Sequence, residues 1–206
     1  MSSQARSLLI TFMLVLLLAV MIAIVPFIVR FDVIQLHNKM GETSVTELTQ
    51  ELLLTISVLL FLITAIRRPD SRGFLVLVTG FLACMLIREG DKWFDLITKG
   101  FWVYPATLCA AGSIYLAIRS RGTVLSAMYV YTRSQSFAFM AVGLLIVIVF
   151  SRLFGTHSLW LDIMQHNYDA FYKTVIQEGI ELLGYWLVFA GSVLHYRKNW
   201  ASTQKR

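Results

Sequence analysis

The chain has 206 residues, 57% apolar and 15% charged, against roughly 45–50% and 25% in a soluble domain. With a mean hydropathy of +0.69, this excludes a disordered chain, a secreted disulfide scaffold and an ordinary soluble enzyme. The formal charge of +6 is scattered over short segments, which reads as a topology signal and not as nucleic-acid binding.

A helix needs about 20 mostly apolar residues to cross roughly 30 Å of hydrocarbon. Six runs approach or exceed that length. The first covers 7–29. Its basic start at Arg6 looks like a signal peptide, but the apolar stretch is too long and no small-x-small pattern follows. It is expected to be an uncleaved anchor, kinked or ended early by Pro26. The second run covers 49–66. The third covers 73–97 and carries charge in its last third. The fourth, 101–118, holds the small residues Ala106, Cys109, Ala110, Ala111, Gly112 and Ser113. The fifth covers 136–154. The sixth, 174–196, holds Gly179, Gly184, Ala190 and Gly191. Small residues let backbones approach, so the fourth and sixth helices are expected at the centre. Two further stretches, 124–135 on the inner side and 158–172 on the outer, carry apolar residues at helical spacing. They predict short amphipathic helices lying at the bilayer surface. The expected fold is an all-α integral membrane protein, a six-transmembrane-helix bundle forming a single domain over 1–206.

Charge sets the direction. With the N-terminus inside, the inner segments hold eleven bases (Arg6, Arg67, Arg68, Arg72, Arg119, Arg121, Arg133, Arg197, Lys198, Lys205 and Arg206) against one acid, Asp70. The outer side then holds seven bases and eleven acids. The positive-inside rule puts both termini in the cytoplasm.

Polar residues converge near the outer ends of four helices. At 1.5 Å per residue, Glu51, Arg88, Glu89, Arg152, Glu178 and Glu181 fall roughly 21–26 Å from the inner boundary. Helical spacing sorts them into faces. Arg88, Asp91, Lys92 and Asp95 share one face of the third helix, with Glu89 directed elsewhere. Glu178, Glu181 and Tyr185 form a stripe on the sixth, and Glu47, Glu51 and Thr55 on the second. Such stripes normally face a bundle interior, because charge toward lipid is costly. Seven acids (Glu47, Glu51, Glu89, Asp91, Asp95, Glu178, Glu181) meet three bases (Arg88, Lys92, Arg152). Pairing alone leaves a surplus of carboxylates, which must be protonated, bound to a cation or open to water. The competing reading makes the charges interhelical pins, Arg88 to Glu178 or Glu181 and Arg152 to Glu51 or Glu89.

Other signals carry less chemistry. His37, His157 and His166 are expected outside and His195 at the inner end, without the spacing of a zinc or di-iron site. No metal and no cofactor is therefore assigned. Cys84 and Cys109 fall at a similar mid-membrane depth on neighbouring helices, without CxxC, and read as small packing residues. No Walker A, GxSxG or GxGxxG occurs, and an enzyme would rest on carboxylates alone, with no catalytic residue to name. Both halves carry charge in the outer leaflet, which argues against an inverted repeat.

The expected function is binding of a proton, cation or cationic solute, for transport or sensing, in an outward-facing acidic pocket. The candidates are Glu178, Glu181, Arg88, Glu89, Asp91, Glu51, Arg152, Tyr185 and Asp95. One alternative is a structural subunit of a membrane complex whose charged layer fixes helix packing. The other is a lipid-modifying enzyme at the outer leaflet. Expected partners are the lipid bilayer, the bound ion or solute, and a membrane protein or second copy of the chain, without nucleic acid. Short loops and the lack of an N-x-S/T acceptor suit a bacterial inner membrane.

Overall fold

The computed structural model describes residues 3–36 and 44–203. His37 and the charges Lys39, Glu42, Lys205 and Arg206 lie outside the described residues. Among the described residues the chain is helical throughout its ordered elements, without a strand. In chain order these are α1 (Ser3–Arg30), α2 (Val45–Arg67), α3 (Arg72–Glu89), α4 (Asp91–Asp95) and α5 (Val103–Arg119). There follow α6 (Val124–Thr132), α7 (Gln135–Leu145), α8 (Ser151–Phe154), α9 (His157–Met164) and α10 (Ala170–Thr203). A π-helical segment, Phe31–Leu36, extends α1, and another, Ile146–Phe150, joins α7 to α8.

Four helical stretches are long and apolar enough to cross a membrane: Gln4–Leu36, Val45–Arg67, Pro69–Glu89 and Gln135–Phe154. The protein is an all-α integral membrane protein. The other two expected runs are helices as well, α5 and α10.

α10 is the central element. It packs against α7 on one side and α2 on another; α2 then contacts α3, and α3 contacts α5. The approach of α7 to α10 is close because glycines face each other. A Cβ on Gly143 would stand 2.7 Å from the Gly184 carbonyl oxygen and 2.8 Å from the Val188 nitrogen. Nearer the other end, the Ser136 hydroxyl donates to the Gly191 carbonyl at 2.9 Å. The core continues from this seam onto α2 and α3, through Leu54, Phe61, Leu82, Leu182, Tyr185 and Val188.

Several expectations are corrected in detail. α5 is peripheral and not central. Its small residues serve a single contact with α3, where Ser113 sits against Gly80 and the Cys84 thiol donates to the Ala106 carbonyl at 3.3 Å. Gly112 faces open space. The third helix ends at Glu89, not at 97: Gly90 leaves helical geometry at φ −86° and ψ 23°, and the short helix α4 begins at Asp91. α1 runs through Pro26 to Arg30 and then widens to π pitch, so proline does not end it. The outer amphipathic stretch is divided. α9 holds Trp160, whose indole N–H donates to the Phe154 carbonyl at 2.8 Å, whereas Phe171 belongs to α10 after a turn at Gln165 with φ 49°. The inner amphipathic helix forms as α6.

Helix starts are secured by side chains. Ser44 caps α2, its hydroxyl accepting from the Glu47 N–H at 3.1 Å, and Ser134 caps α7 in the same way. Asp32 adds a second cap to α2 from the end of the preceding helix. Its carboxylate, fully buried, accepts from the Val45 N–H at 2.8 Å and the Thr46 N–H at 2.7 Å. A carboxylate on a helix N-terminus satisfies orphan donors and complements the dipole.

Candidate functional site

The polar layer forms where the N-terminal half of α2, the C-terminal end of α3, α8 and the N-terminal half of α10 meet. Glu181 is its most buried acid, 3% exposed. One of its oxygens accepts from the Ser151 hydroxyl and the Gln177 amide, both at 3.1 Å, and pairs with Arg152 at 3.5 Å. Ser151 and Arg152 follow the π segment Ile146–Phe150, which shifts the helical register immediately before them.

Glu89 accepts from the Tyr185 hydroxyl at 2.8 Å and from the Arg88 guanidinium at 2.7 Å. The first bond ties α3 to α10; the second stays between chain neighbours. Lys92 leaves α4 and inserts its ammonium between two carboxylates of α2, Glu47 at 3.2 Å and Glu51 at 3.0 Å. Its side chain is only 8% exposed, so this is a desolvated contact.

Glu178 is held differently. Its carboxylate accepts from the Gln50 amide at 3.1 Å, and the same amide reaches the Glu178 backbone carbonyl at 3.1 Å. Among the described residues it has no ion pair. Three other carboxylates, those of Glu181, Glu89 and Glu47, act on it electrostatically.

Seven of the nine candidate residues thus meet in one layer: Glu51, Arg88, Glu89, Arg152, Glu178, Glu181 and Tyr185. Asp91 and Asp95 do not. The break at Gly90 turns them out of the third helix; both are exposed, and Asp95 accepts from the Gly100 N–H at 2.8 Å. The pairing also differs from expectation. Arg88 meets Glu89, and Arg152 meets Glu181. An extended guanidinium spans the angle between adjacent helix positions, so the helical wheel alone does not exclude the first pair. Gln50, Ser151 and Gln177 escape a search for charge because they are neutral. Their signal in the sequence is position, each within four residues of a layer acid or base on the same helix.

The C-terminal end of α10 has another character. His195 stacks on Phe61 at 5.0 Å and meets the edge of Tyr131 at 5.0 Å. A cavity of about 260 Å³ opens beside it under α6, lined by Asp70, Ser134, Lys198 and Asn199 among others. Between this end and the outer layer, Leu54, Phe61, Leu182 and Val188 fill the bundle. Among the described residues no three histidine, cysteine or acidic side chains gather as a metal site would need.

Comparison with protein-family models, with curated proteins and with solved structures finds no match for this chain.

Proposed function

We propose that the protein is a six-span protein of a bacterial inner membrane, with both termini cytoplasmic, and that its outer polar layer takes up a proton, a cation or a cationic solute. Helix lengths support six spans: α5 reaches about 26 Å and α10 about 51 Å at 1.5 Å per residue. The arrangement of basic ends supports the direction. Arg68 donates to the Asn199 carbonyl at 2.8 Å, Arg67 lies over the Trp200 ring, and Gly73 packs on Ser120 beside Arg119. The basic ends of α2, α3, α5 and α10 therefore share one face, as a cytoplasmic surface requires.

Glu178 carries the binding reading. Every other acid of the layer pairs with arginine or lysine, whereas among the described residues the Glu178 carboxylate has only the Gln50 amide. A carboxylate so placed among like charges gains from a proton or a cation. Transport and sensing both begin with that uptake. The apolar filling between the two ends of α10 favours a site reached from outside.

The test is the melting temperature of purified protein with mono- and divalent cations and organic cations, over mildly acid to mildly alkaline pH. A rise that Glu178→Gln abolishes supports the site, since a ligand stabilises the state it binds. An equal response in both proteins removes Glu178 from the site. A second reading is a subunit whose charged layer fixes packing, and the interhelical bonds of Glu89 and Glu181 favour it. A flat response in both proteins, with a large loss of stability in Arg152→Leu, selects that reading.

A further inference from the structure

Away from the polar layer, the opposite end of the molecule carries a basic groove between α3 and α5. It encloses about 340 Å³ and is lined by Arg72, Val76, Leu116, Arg119 and Ser120. No acid lines it. Asp70, the one acid of the segments at this end, lines the separate cavity under α6. Arg72 directs its Nε to the Ala65 carbonyl at 3.3 Å and one terminal nitrogen to the Ile66 carbonyl at 3.5 Å. That leaves donors of its five unspent. Arg119 makes no hydrogen bond or ion pair among the described residues, and it is exposed. Two guanidiniums and a hydroxyl at one mouth have the donor set that recognises a phosphate group.

The remaining walls say which phosphate. Val76 and Leu116 lie one helical turn deeper on α3 and α5, and Leu116 is 50% exposed with Ile118 at 64% beside it. The groove therefore passes from a cationic mouth directly onto the apolar flank that faces lipid. A free anion would use the mouth alone. A phospholipid uses both, its phosphate at Arg72 and Arg119 and its acyl chain along Val76 and Leu116. Basic pockets between spans at the cytoplasmic side suit anionic head groups in this way. We infer that the groove between α3 and α5 binds an anionic phospholipid of the adjacent leaflet, with Arg119 as its principal phosphate ligand and Arg72 as its second.

The experiment places the full chain in bilayer discs of zwitterionic phosphatidylcholine, with or without a minor fraction of phosphatidylglycerol, and reads the melting temperature. Wild type should rise by several degrees with phosphatidylglycerol. Arg119→Gln should lose most of that rise, and Arg121→Gln, which removes a base outside the groove, should keep it. Arg72 also braces the end of α2, so Arg119 is the safer variant; native mass spectrometry of retained lipid serves as a second readout, with co-purified phosphatidylglycerol falling severalfold in Arg119→Gln. Inorganic phosphate added to phosphatidylcholine discs should leave the melting temperature unchanged. An equal rise in wild type and Arg119→Gln would overturn the site, because general surface charge would then explain it. A full rise with inorganic phosphate would overturn the lipid as occupant.

Discussion

The two halves of α10 are built from similar residue types and used in opposite ways. In the N-terminal half, polar side chains bond across helices: Glu178 to Gln50, Tyr185 to Glu89, and Glu181 to Ser151, whose hydroxyl also lies 2.7 Å from the Val147 carbonyl of its own helix. In the C-terminal half, Ser192 returns its hydroxyl to the Val188 carbonyl of its own helix, as Ser57 and Thr64 of α2 do to Leu53 and Leu60. A hydroxyl satisfied within its helix specifies nothing about a neighbour, whereas one satisfied across the gap does. The C-terminal half is positioned by the approach of Gly191 to α7, where the Ser136 hydroxyl donates to its carbonyl, by Arg68 on the Asn199 carbonyl and by the stack of His195 on Phe61. Close backbone packing runs through both halves, since Gly184 stands between Glu181 and Tyr185 on α10; the acids are confined to the N-terminal one.

The largest effect should come from the seam itself. Gly143→Leu forces a side chain onto the Gly184 carbonyl and the Val188 nitrogen, and should cost about 3 kcal/mol, the upper end for overpacking. Gly112→Ala, into open space on α5, should cost nothing and gain up to about 1 kcal/mol from helix propensity. Detergent-to-dodecyl-sulfate unfolding measures both, and equal losses would show that the seam is not special.

Next comes the buried acid. Arg152→Leu strands Glu181 and should destabilise by about 2 kcal/mol, less than a fully buried pair because Arg152 is 42% exposed. Adding Glu181→Gln should recover most of it. No recovery would mean that Arg152 acts through packing of its stem. Smaller again, Tyr185→Phe removes the hydroxyl from Glu89 and should cost about 1–2 kcal/mol, an effect that should shrink in a Glu89→Gln background. The smallest change belongs to the C-terminal half of α10. Ser192→Ala loses a bond within its own helix and should shift stability by less than about 0.5 kcal/mol.

The sequence reveals the helices, the meeting of seven of the nine candidate side chains in one layer and the central place of α10. Those features depend on apolar run length and helical period, which are local. It does not reveal who pairs with whom. Arg88 settles on its neighbour Glu89, and Lys92 crosses to α2 from a short helix that exists only because Gly90 interrupts the third run. Small residues are ambiguous in the same way. Gly143 and Gly184 mark a two-sided seam, whereas Ala106, Cys109 and Ser113 mark a single contact of an outer helix, and composition alone does not separate the cases. The Asp32 cap on α2 is hidden because it joins residues 13 and 14 positions apart in the chain.

In the proposed function Glu178 is the acid of the layer left to take up a proton or cation. Infrared difference spectra in the carboxyl region test it directly, recorded on lowering the pH and on adding cations to wild type and to Glu178→Gln. The account predicts a band that titrates in wild type, disappears in Glu178→Gln and survives in Glu89→Gln. A titrating band of full size in Glu178→Gln, or none in wild type under any ion, would contradict it.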